Sequence, residues 1–295
     1  MSRQPSAWFD AQYNNRARIP EHPALLQHWF DASARARQRH PEMIEASYGT
    51  DARERCDVFP AAHAGSPVLV YLHGGYWRAL DKRDQSFVAP PFVDAGALVV
   101  LPGYSLCPAV RIEHIVLQTV RALVWVYRHA AAYGGDPQRI VVAGHSAGGH
   151  LATMLLACDW KAVAPELPAD LVKSALSISG LYELEPLRHA PFLARDLRLT
   201  AASARLLSPA AMPAPRGHLV TIVGANESEE FHRQAALIRT AWSVRTVTAA
   251  TPVAGCNHMD VLNTLSDPQS RTHACGLRLL GLDGEAAARE FQGRR

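Results

Sequence analysis

The sequence of 295 residues is poor in cysteine and in charged side chains. Its five cysteines are far apart, odd in number and form no CxxC pair, which excludes a disulfide framework and argues against structural zinc. Charged residues make up 19% of the chain, and the 30 basic and 27 acidic side chains nearly balance. Because the arginines are scattered, the sequence predicts no nucleic-acid partner.

Membrane-spanning segments and a secretory signal are also missing. The two long uncharged runs, 58–77 and 140–158, are broken by proline, glycine or polar residues, so neither is expected to span a bilayer. Residues 1–6 lead into a polar segment that lacks the apolar stretch of a signal peptide. These absences together predict a cytoplasmic protein without a membrane partner.

The order of apolar runs indicates the fold class. Uninterrupted apolar runs are typical of strands that are covered on both faces, as in a parallel sheet. The strands predicted in this way are 67–72, 97–101, 139–143, 174–179, 218–223 and 244–248. Residues 112–132 repeat apolar side chains at helical spacing and form a predicted crossover helix. The alternation predicts an α/β fold with a mostly parallel, doubly wound sheet and helices on both faces.

The chain has no internal repeat and no linker rich in proline, glycine or serine, so one domain is predicted over residues 1–295. Two regions depart from the pattern of the core. The first is an N-terminal extension at about residues 1–50, predicted to be helical and irregular. The second is a proline-rich insertion at about residues 181–215, which is either a small cap over a site or a long surface connection.

The strongest motif is Gly144-His145-Ser146-Ala147-Gly148, which follows a predicted strand and precedes a predicted helix. A serine on a sharp strand-to-helix turn needs small neighbours, and the glycines and the alanine supply them. The amino end of the helix points its N–H groups at the same place. Ser146 is therefore the predicted nucleophile.

A second motif, His73-Gly74-Gly75-Tyr76-Trp77, stands at the end of the first predicted strand. A glycine pair lets backbone N–H groups face a developing oxyanion without obstruction by side chains. One donor of such a site comes from this loop and another from the residue after the nucleophile. The predicted oxyanion donors are the amides of Gly75, Tyr76 and Ala147.

A serine nucleophile needs a histidine base, which follows late in the chain in this arrangement. His258 comes after the last predicted strand and is the predicted base. His232, on a predicted helix, is a poorer candidate. Three histidines inside the motifs are predicted to be scaffolding: His73, His145 and His150.

The acid that orients the base should follow the predicted strand 218–223. No aspartate is present in residues 224–231, so Glu227 is the first choice and Glu229 the second. Asp260 lies two residues beyond the base and is expected to point away or to cap the last helix.

Together these segments resemble the kynurenine formamidase (arylformamidase) branch of the α/β-hydrolases, over roughly residues 65–265. The resemblance is carried by HGGYW, GHSAGGHL, Tyr104-Ser105-Leu106-Cys107-Pro108, the stretch 178–187 and ESEEFHRQ at 227–234. It implies the α/β-hydrolase fold, with Ser146 as nucleophile, His258 as base and Glu227 as acid. The family often has aspartate at the last position, and residues 13–17 look like bacterial relatives that act on other substrates.

What the resemblance implies, together with the residues, is hydrolysis of N-formyl-L-kynurenine or a related aryl formamide through a formyl-serine, a step of tryptophan catabolism. The predicted partner is this small molecule, with no cofactor and no metal, and a homodimer is left open. Four aromatic side chains are predicted to contact the substrate ring: Tyr76, Trp77, Tyr104 and Tyr182. Cys107 and Cys256 are interpreted as packing residues.

Two other functions fit parts of the pattern. A carboxylesterase for small aryl or short-acyl esters would use the same catalytic residues, because the substrate is chosen by the cap and the pocket walls. A ligand-binding relative that has lost catalysis is the second alternative, but both Ser146 and His258 are present.

Overall fold

The computed structural model describes residues 4–249 and 252–283. The remaining residues of the predicted 1–295 domain, including the first three of the N-terminal extension, lie outside the described part. The strands are β1 (Ile44–Ser47), β2 (Arg55–Phe59), β3 (Ser66–Leu72), β4 (Leu98–Pro102), β5 (Gly135–His145), β6 (Val172–Ile178), β7 (His218–Ile222) and β8 (Val247–Ala249).

The α-helices are α1 (Ser6–Tyr13), α2 (Asn15–Arg18), α3 (His22–Arg39), α4 (Pro90–Asp94), α5 (Ile112–His129), α6 (Ala147–Leu156), α7 (Trp160–Val163), α8 (Pro191–Leu197), α9 (Ala201–Leu206), α10 (Glu229–Thr246), α11 (Asn263–Ser266) and α12 (Arg271–Leu280). Short 3-10 helices span Lys82–Val88, Ala130–Tyr133, Glu185–His189, Pro209–Ala211 and Asp260–Leu262.

The eight strands form one sheet in the order β1-β2-β4-β3-β5-β6-β7-β8. From β4 to β8 every neighbouring pair is parallel, whereas β1 and β2 pair antiparallel with each other and β2 pairs antiparallel with β4. Parallel strands that are joined by helices end at the same edge of the sheet. The loops after β3, β5, β6 and β7 therefore meet at one edge.

Alternate side chains of the central strands enter two separate cores. Val68 and Val70 of β3 pack in the core that is covered by α5, α6 and α10. Leu69 and Tyr71 of the same strand pack in the other core, against α3, α4 and α12. This alternation follows from the two-residue period of a strand, and it confirms the prediction of a sheet covered on both faces.

Five of the six predicted strands coincide with β3 to β7, and the predicted crossover helix coincides with α5 and the 3-10 turn after it. The sixth prediction, 244–248, was wrong in its first half. Helix α10 is interrupted at Ser243, which has φ 69° and ψ 159°, and its last helical turn ends at Thr246, so β8 begins only at Val247. The side chain of Val244 is exposed rather than buried in a sheet.

The prediction that the N-terminal extension is helical and irregular missed one strand. Residues 44–47 form β1, which pairs with β2 at the antiparallel edge of the sheet. The proline-rich stretch 181–215 contains α8, α9 and two 3-10 helices. Helix α1 packs against α8, and the ring centroids of Phe9 and His189 are 5.2 Å apart. The extension and the insertion thus contact each other beside the sheet edge.

Candidate active site

Ser146 lies on the turn between β5 and α6, with φ 58° and ψ −118°. This backbone conformation is strained for a residue with a side chain, and small neighbours make room for it. A Cβ on Gly144 would meet the Gly148 oxygen at 2.2 Å, and one on Gly148 would meet the Leu72 oxygen at 2.0 Å. The amide of Ser146 donates to the Ile178 carbonyl at 2.8 Å, which ties the turn to β6.

His258 lies between Ser146 and Glu227. Its Nε2 is 3.0 Å from Ser146 Oγ, and its Nδ1 is 2.7 Å from Glu227 Oε2. Because a carboxylate only accepts hydrogen bonds, Nδ1 carries the proton and Nε2 of the neutral ring is left to accept from the serine hydroxyl. The structure brings together the three side chains that the sequence predicts as nucleophile, acid and base.

The carboxylate of Glu227 is fully buried and held through its second oxygen. Oε1 accepts from Ser179 Oγ at 2.5 Å and from the Gly224 amide at 2.7 Å. Glu229, the second choice for the acid, is exposed in the first turn of α10. The structure therefore places Glu227, and not Glu229, against His258.

Asp260 and His232 take no part in this arrangement. Asp260 Oδ1 accepts from the Asn257 amide at 2.6 Å, so this carboxylate caps the turn that carries His258 rather than the last helix. His232 lies on α10 and lines a separate surface cavity with Thr221 of β7.

The three scaffold histidines are buried around the turn. His145 Nε2 donates to the His258 carbonyl at 2.7 Å, and His150 Nε2 donates to the Leu207 carbonyl at 2.8 Å. His73 stacks on Tyr104 at 4.1 Å. Burial lowers the pKa of His73 and of His150 to about 4, and burial and nearby His258 hold the pKa of His145 far below its usual range. All three are neutral near pH 7.

The glycine loop, residues 73–80, borders the serine. Gly75 has φ 112°, and a Cβ there would meet the Ala79 oxygen at 2.1 Å, so the loop needs a glycine at this position. Within the described ranges the amides of Gly75 and Tyr76 donate no hydrogen bond. Ala147 begins α6, where an amide has no partner inside the helix. These three N–H groups are available for a ligand oxygen.

A cavity of about 350 Å³ opens onto Ser146 and His258. The glycine loop forms part of its wall through Gly75 and Tyr76. Much of the rest comes from the N-terminal helices and from α8. These residues are Asn14, Asn15, Arg16, Leu26, Trp29, Phe192 and Asp196. The cavity thus joins the sheet edge to the two segments that depart from the core pattern.

Three of the four aromatic residues predicted to contact substrate are not in the cavity wall. Trp77, Tyr104 and Tyr182 are fully buried. Trp77 packs edge-on against a buried histidine ring, the Tyr104 hydroxyl donates to the His73 carbonyl at 2.6 Å, and the Tyr182 hydroxyl donates to Ser177 Oγ at 2.8 Å. For these three the prediction was wrong, because each ring completes the core beneath a loop. Tyr76 alone of the four lines the cavity.

Two aromatic side chains of the wall were missed. Trp29 projects from α3, and its Nε1 donates to Asn263 Oδ1 at 2.8 Å. Phe192 belongs to α8, inside the proline-rich stretch that was predicted as a cap. For Phe192, the cap prediction was the one indication in the sequence that this residue lies near the site. For Trp29, no local pattern distinguishes the residue from an ordinary core residue.

No cluster of three or more potential metal ligands occurs among residues 4–249 and 252–283. The five cysteines are free, and burial raises the pKa of Cys107 to about 11. Across the same part of the chain, no helix has both the length and the hydropathy to cross a membrane.

The arrangement suits acyl transfer. A hydroxyl, an imidazole and a carboxylate stand in hydrogen-bonded order, and unpaired amides lie beside the hydroxyl. Such a set activates an oxygen nucleophile and stabilises the oxyanion that forms when it attacks a carbonyl.

Comparison with known proteins agrees with this chemistry. A family model described as the alpha/beta hydrolase fold matches residues 69–238. The matched range contains Ser146 and Glu227, and His258 lies beyond its end. A kynurenine formamidase of Danio rerio is 32% identical over 209 residues, which are 68% of this chain and 68% of that protein.

Two further relatives match at similar identity. A kynurenine formamidase of Salmo salar is 31% identical over 226 residues, 73% of this chain and 72% of that protein. A crystal structure from Silicibacter sp. TM1040, described as a candidate thioesterase, is 31% identical with a TM-score of 0.79. The superposition covers 90% of this chain and 97% of that one.

Proposed function

The chain belongs to the α/β-hydrolase family as a kynurenine formamidase-like member, and we propose that it hydrolyses the formamide of N-formyl-L-kynurenine or a closely related aryl formamide. The observation that carries the mechanism is His258, hydrogen-bonded on one side to Ser146 and on the other to Glu227. The choice of a formamide is supported by the two formamidases to which most of the chain is similar.

In the first step the Ser146 hydroxyl attacks the formyl carbon, and His258 Nε2 takes the hydroxyl proton. Glu227 accepts a hydrogen bond from Nδ1–H throughout, without taking the proton, and stabilises the imidazolium that forms. The carbonyl oxygen becomes an oxyanion, which the amides of Gly75, Tyr76 and Ala147 bind. Losing one such donor typically costs about 2.7–4 kcal/mol of transition-state stabilisation.

The tetrahedral intermediate then collapses. The bond between carbon and nitrogen breaks as His258 Nε2–H protonates the aniline nitrogen, and kynurenine leaves. An aniline is a weaker base than an alkyl amine and therefore a better leaving group. A site that cleaves esters can for this reason also cleave the amide of an aniline. The product of this step is a formyl ester on Ser146.

Water completes the reaction. His258 Nε2 takes a proton from the water as its oxygen attacks the formyl carbon, and the second intermediate releases formic acid as Ser146 Oγ regains a proton from the imidazolium. One amide and one water are consumed, and one kynurenine and one formic acid appear; the formic acid ionises in solution to formate and a proton.

The substrate class is tested by comparing two substrates on the purified protein. We expect a higher kcat/KM with N-formyl-L-kynurenine than with 4-nitrophenyl acetate, with kynurenine and formate released in equal amounts. A kcat/KM that strongly favours the ester would reject the formamide and leave the carboxylesterase alternative. Ser146→Ala provides the background rate for both substrates.

The small-molecule partner and the cytoplasmic location are proposals of the same kind. A small molecule is supported by the size of the cavity at Ser146, about 350 Å³. A cytoplasmic location is supported by the five free cysteines, which a reducing compartment preserves. Pairing with a second copy of the chain stays an open prediction.

A further inference from the structure

Outside the catalytic residues, three charged side chains line the active-site cavity: Arg16, Arg78 and Asp196. Arg78 forms an ion pair with the Asp196 carboxylate and donates to the Phe192 carbonyl at 2.8 Å. The charges of Arg78 and Asp196 therefore balance each other within the wall. Arg16 is left as an excess positive charge.

Arg16 is exposed, and among the described residues it has no hydrogen-bond or ion-pair partner. Arg18 on the same helix differs, because it donates to the Ala11 carbonyl at 3.0 Å. A guanidinium offers five N–H donors in a planar fork that matches a carboxylate. Arg16 thus has its full donor set free at the rim of a cavity that contains the serine.

A neighbouring amide also lacks a partner. Asn15 lines the same cavity and is only 7% exposed, and its Nδ2 donates to no atom of the described chain. A buried donor without an acceptor is unfavourable, so a ligand oxygen at this position would be stabilised. Two consecutive residues of α2 therefore line this cavity and carry N–H donors without a partner among the described residues.

Helix α2 is held firmly enough to position a ligand. The hydroxyl of Tyr13, directly before it, donates to Glu230 Oε2 at 2.5 Å, and the Tyr13 carbonyl accepts from the Tyr76 hydroxyl at 2.6 Å. The Asn14 side chain accepts from the Ala17 amide at 3.3 Å and caps the helix. Because Tyr76 belongs to the glycine loop, α2 is tied to the loop that borders Ser146.

We propose that Arg16 binds a carboxylate of the substrate, with Asn15 as a second donor, and that the enzyme therefore prefers aryl formamides that carry a carboxylate to those that lack one. This inference rests on the proposed function and deepens it. In N-formyl-L-kynurenine the carboxylate belongs to an amino-acid side arm, away from the scissile formamide. Arg16 would hold that arm while the formyl group meets Ser146.

The test measures how charge on the substrate and charge on Arg16 depend on each other. The two substrates are N-formyl-L-kynurenine and 2-formamidoacetophenone, which keeps the aryl formamide and the ketone but lacks the amino-acid arm. The variants are Arg16→Gln, which removes the charge, and Arg16→Lys, which keeps it. Arg35→Gln is the matched control, because Arg35 is also exposed on an N-terminal helix but lies outside the cavity wall.

The measured quantity is the ratio of kcat/KM for N-formyl-L-kynurenine, which carries a carboxylate, to kcat/KM for 2-formamidoacetophenone, which carries none. We expect Arg16→Gln to lower this ratio about ten- to hundredfold, mainly through KM of N-formyl-L-kynurenine, and Arg16→Lys to retain part of it. Added salt should raise KM of N-formyl-L-kynurenine in the wild type and much less in Arg16→Gln. Arg35→Gln should keep the wild-type ratio.

An unchanged ratio in Arg16→Gln, or an equal fall in Arg35→Gln, would overturn the inference. Failure of the proposed function looks different, because the wild type would then cleave neither formamide and still cleave esters. In that case the same ratio is measured with 4-acetoxyphenylacetate and 4-methylphenyl acetate, which differ by a carboxylate on the leaving group. A fall with Arg16→Gln supports anion binding by Arg16, and no fall rejects it.

Discussion

The catalytic edge of the sheet and the wall of the cavity are built in different ways. At the edge, Ser146, Glu227 and His258 stand on loops that follow β5, β7 and β8 in the parallel part of one sheet, and each is buried and hydrogen-bonded. Residues of α2, α3 and α8 form much of the cavity wall, and these helices are distant in sequence from the strands that carry the catalytic residues. Rigid strands place the reacting atoms, whereas the helices around them determine which molecule fits.

The contrast leads to different mutational effects. A change at the edge removes a step of the chemistry and should lower kcat. A change in the wall alters how the substrate is held and should act through KM.

Replacing the base should give the largest effect. In His258→Ala neither the serine proton nor the leaving nitrogen has a proton carrier, and we expect kcat to fall by about 10⁶-fold. The protein should still fold but with a lower melting temperature, because the substitution leaves the buried Glu227 carboxylate without its imidazole partner. Steady-state kinetics with N-formyl-L-kynurenine measures the loss, and a fall of less than tenfold would remove His258 from the mechanism.

The acid gives the next largest effect. In Glu227→Gln the side chain can no longer stabilise an imidazolium, and its amide can donate to Nδ1 and select the wrong tautomer, so we expect kcat to fall by about 10⁴-fold. Glu229→Gln is the control, because that side chain is exposed on α10 and should keep its rate within about twofold. The reverse order of losses would move the acid to Glu229.

A hydroxyl of the wall gives a smaller effect. Tyr76→Phe removes the hydrogen bond to the Tyr13 carbonyl, worth about 1 kcal/mol, and loosens α2 against the glycine loop. We expect KM to rise severalfold while kcat stays within about twofold, since the Tyr76 amide is retained. Tyr48→Phe also removes a hydroxyl bonded to a backbone carbonyl, that of Gly103, but outside the cavity. It should reduce stability without changing KM, and an equal KM change in both variants would contradict the wall assignment.

The scaffold histidines should affect stability and not turnover near pH 7. Burial lowers the pKa of His150 to about 4, so between about pH 4 and 6.5 the unfolded chain binds a proton there that the folded chain excludes. The free energy of unfolding should therefore fall as the pH is lowered through this window. Each such histidine contributes up to about 1.4 kcal/mol per pH unit.

Urea denaturation between pH 7 and pH 5 measures this slope. His150→Gln should show a shallower fall of stability with decreasing pH than the wild type, whatever its stability at pH 7. His114→Gln, at an exposed position of α5, should retain the wild-type slope. Equal slopes in all three proteins would show that His150 titrates normally in the folded state.

The same division explains which features could be predicted from the sequence. The strands β3 to β7 and the turn at Ser146 follow from local patterns, because apolar runs, glycines and chain order report them directly. As the candidate acid, Glu227 ranked ahead of Glu229 for two reasons only: it comes earlier in the loop, and the family resemblance places the acid there. Its burial against Ser179 and Gly224 depends on the alignment of three strand ends, which no local pattern contains.

The cavity wall was harder to predict. Trp77, Tyr104 and Tyr182 stand beside motifs and yet complete the core, whereas Trp29 and Phe192 stand outside them and line the cavity. An aromatic residue next to a catalytic loop can either pack in the core beneath the loop or line the cavity above it. Tertiary packing determines which of the two it does, and the local sequence does not report that packing. β8 was misplaced for a related reason, since a further helical turn follows the break in α10 at Ser243 and takes up the first β-branched residue of the predicted strand, Val244.

Ser146 is the proposed nucleophile of a formamide-cleaving triad with His258 and Glu227. Active-site labelling with a fluorophosphonate tests this role of Ser146 directly, when it is followed by peptide mass spectrometry and by assay with N-formyl-L-kynurenine. We expect one label per chain, on Ser146, a loss of formamide hydrolysis in proportion to labelling, and neither label nor turnover in Ser146→Ala. A label on another residue, an unlabelled wild type, or formamide hydrolysis that persists in Ser146→Ala would contradict it.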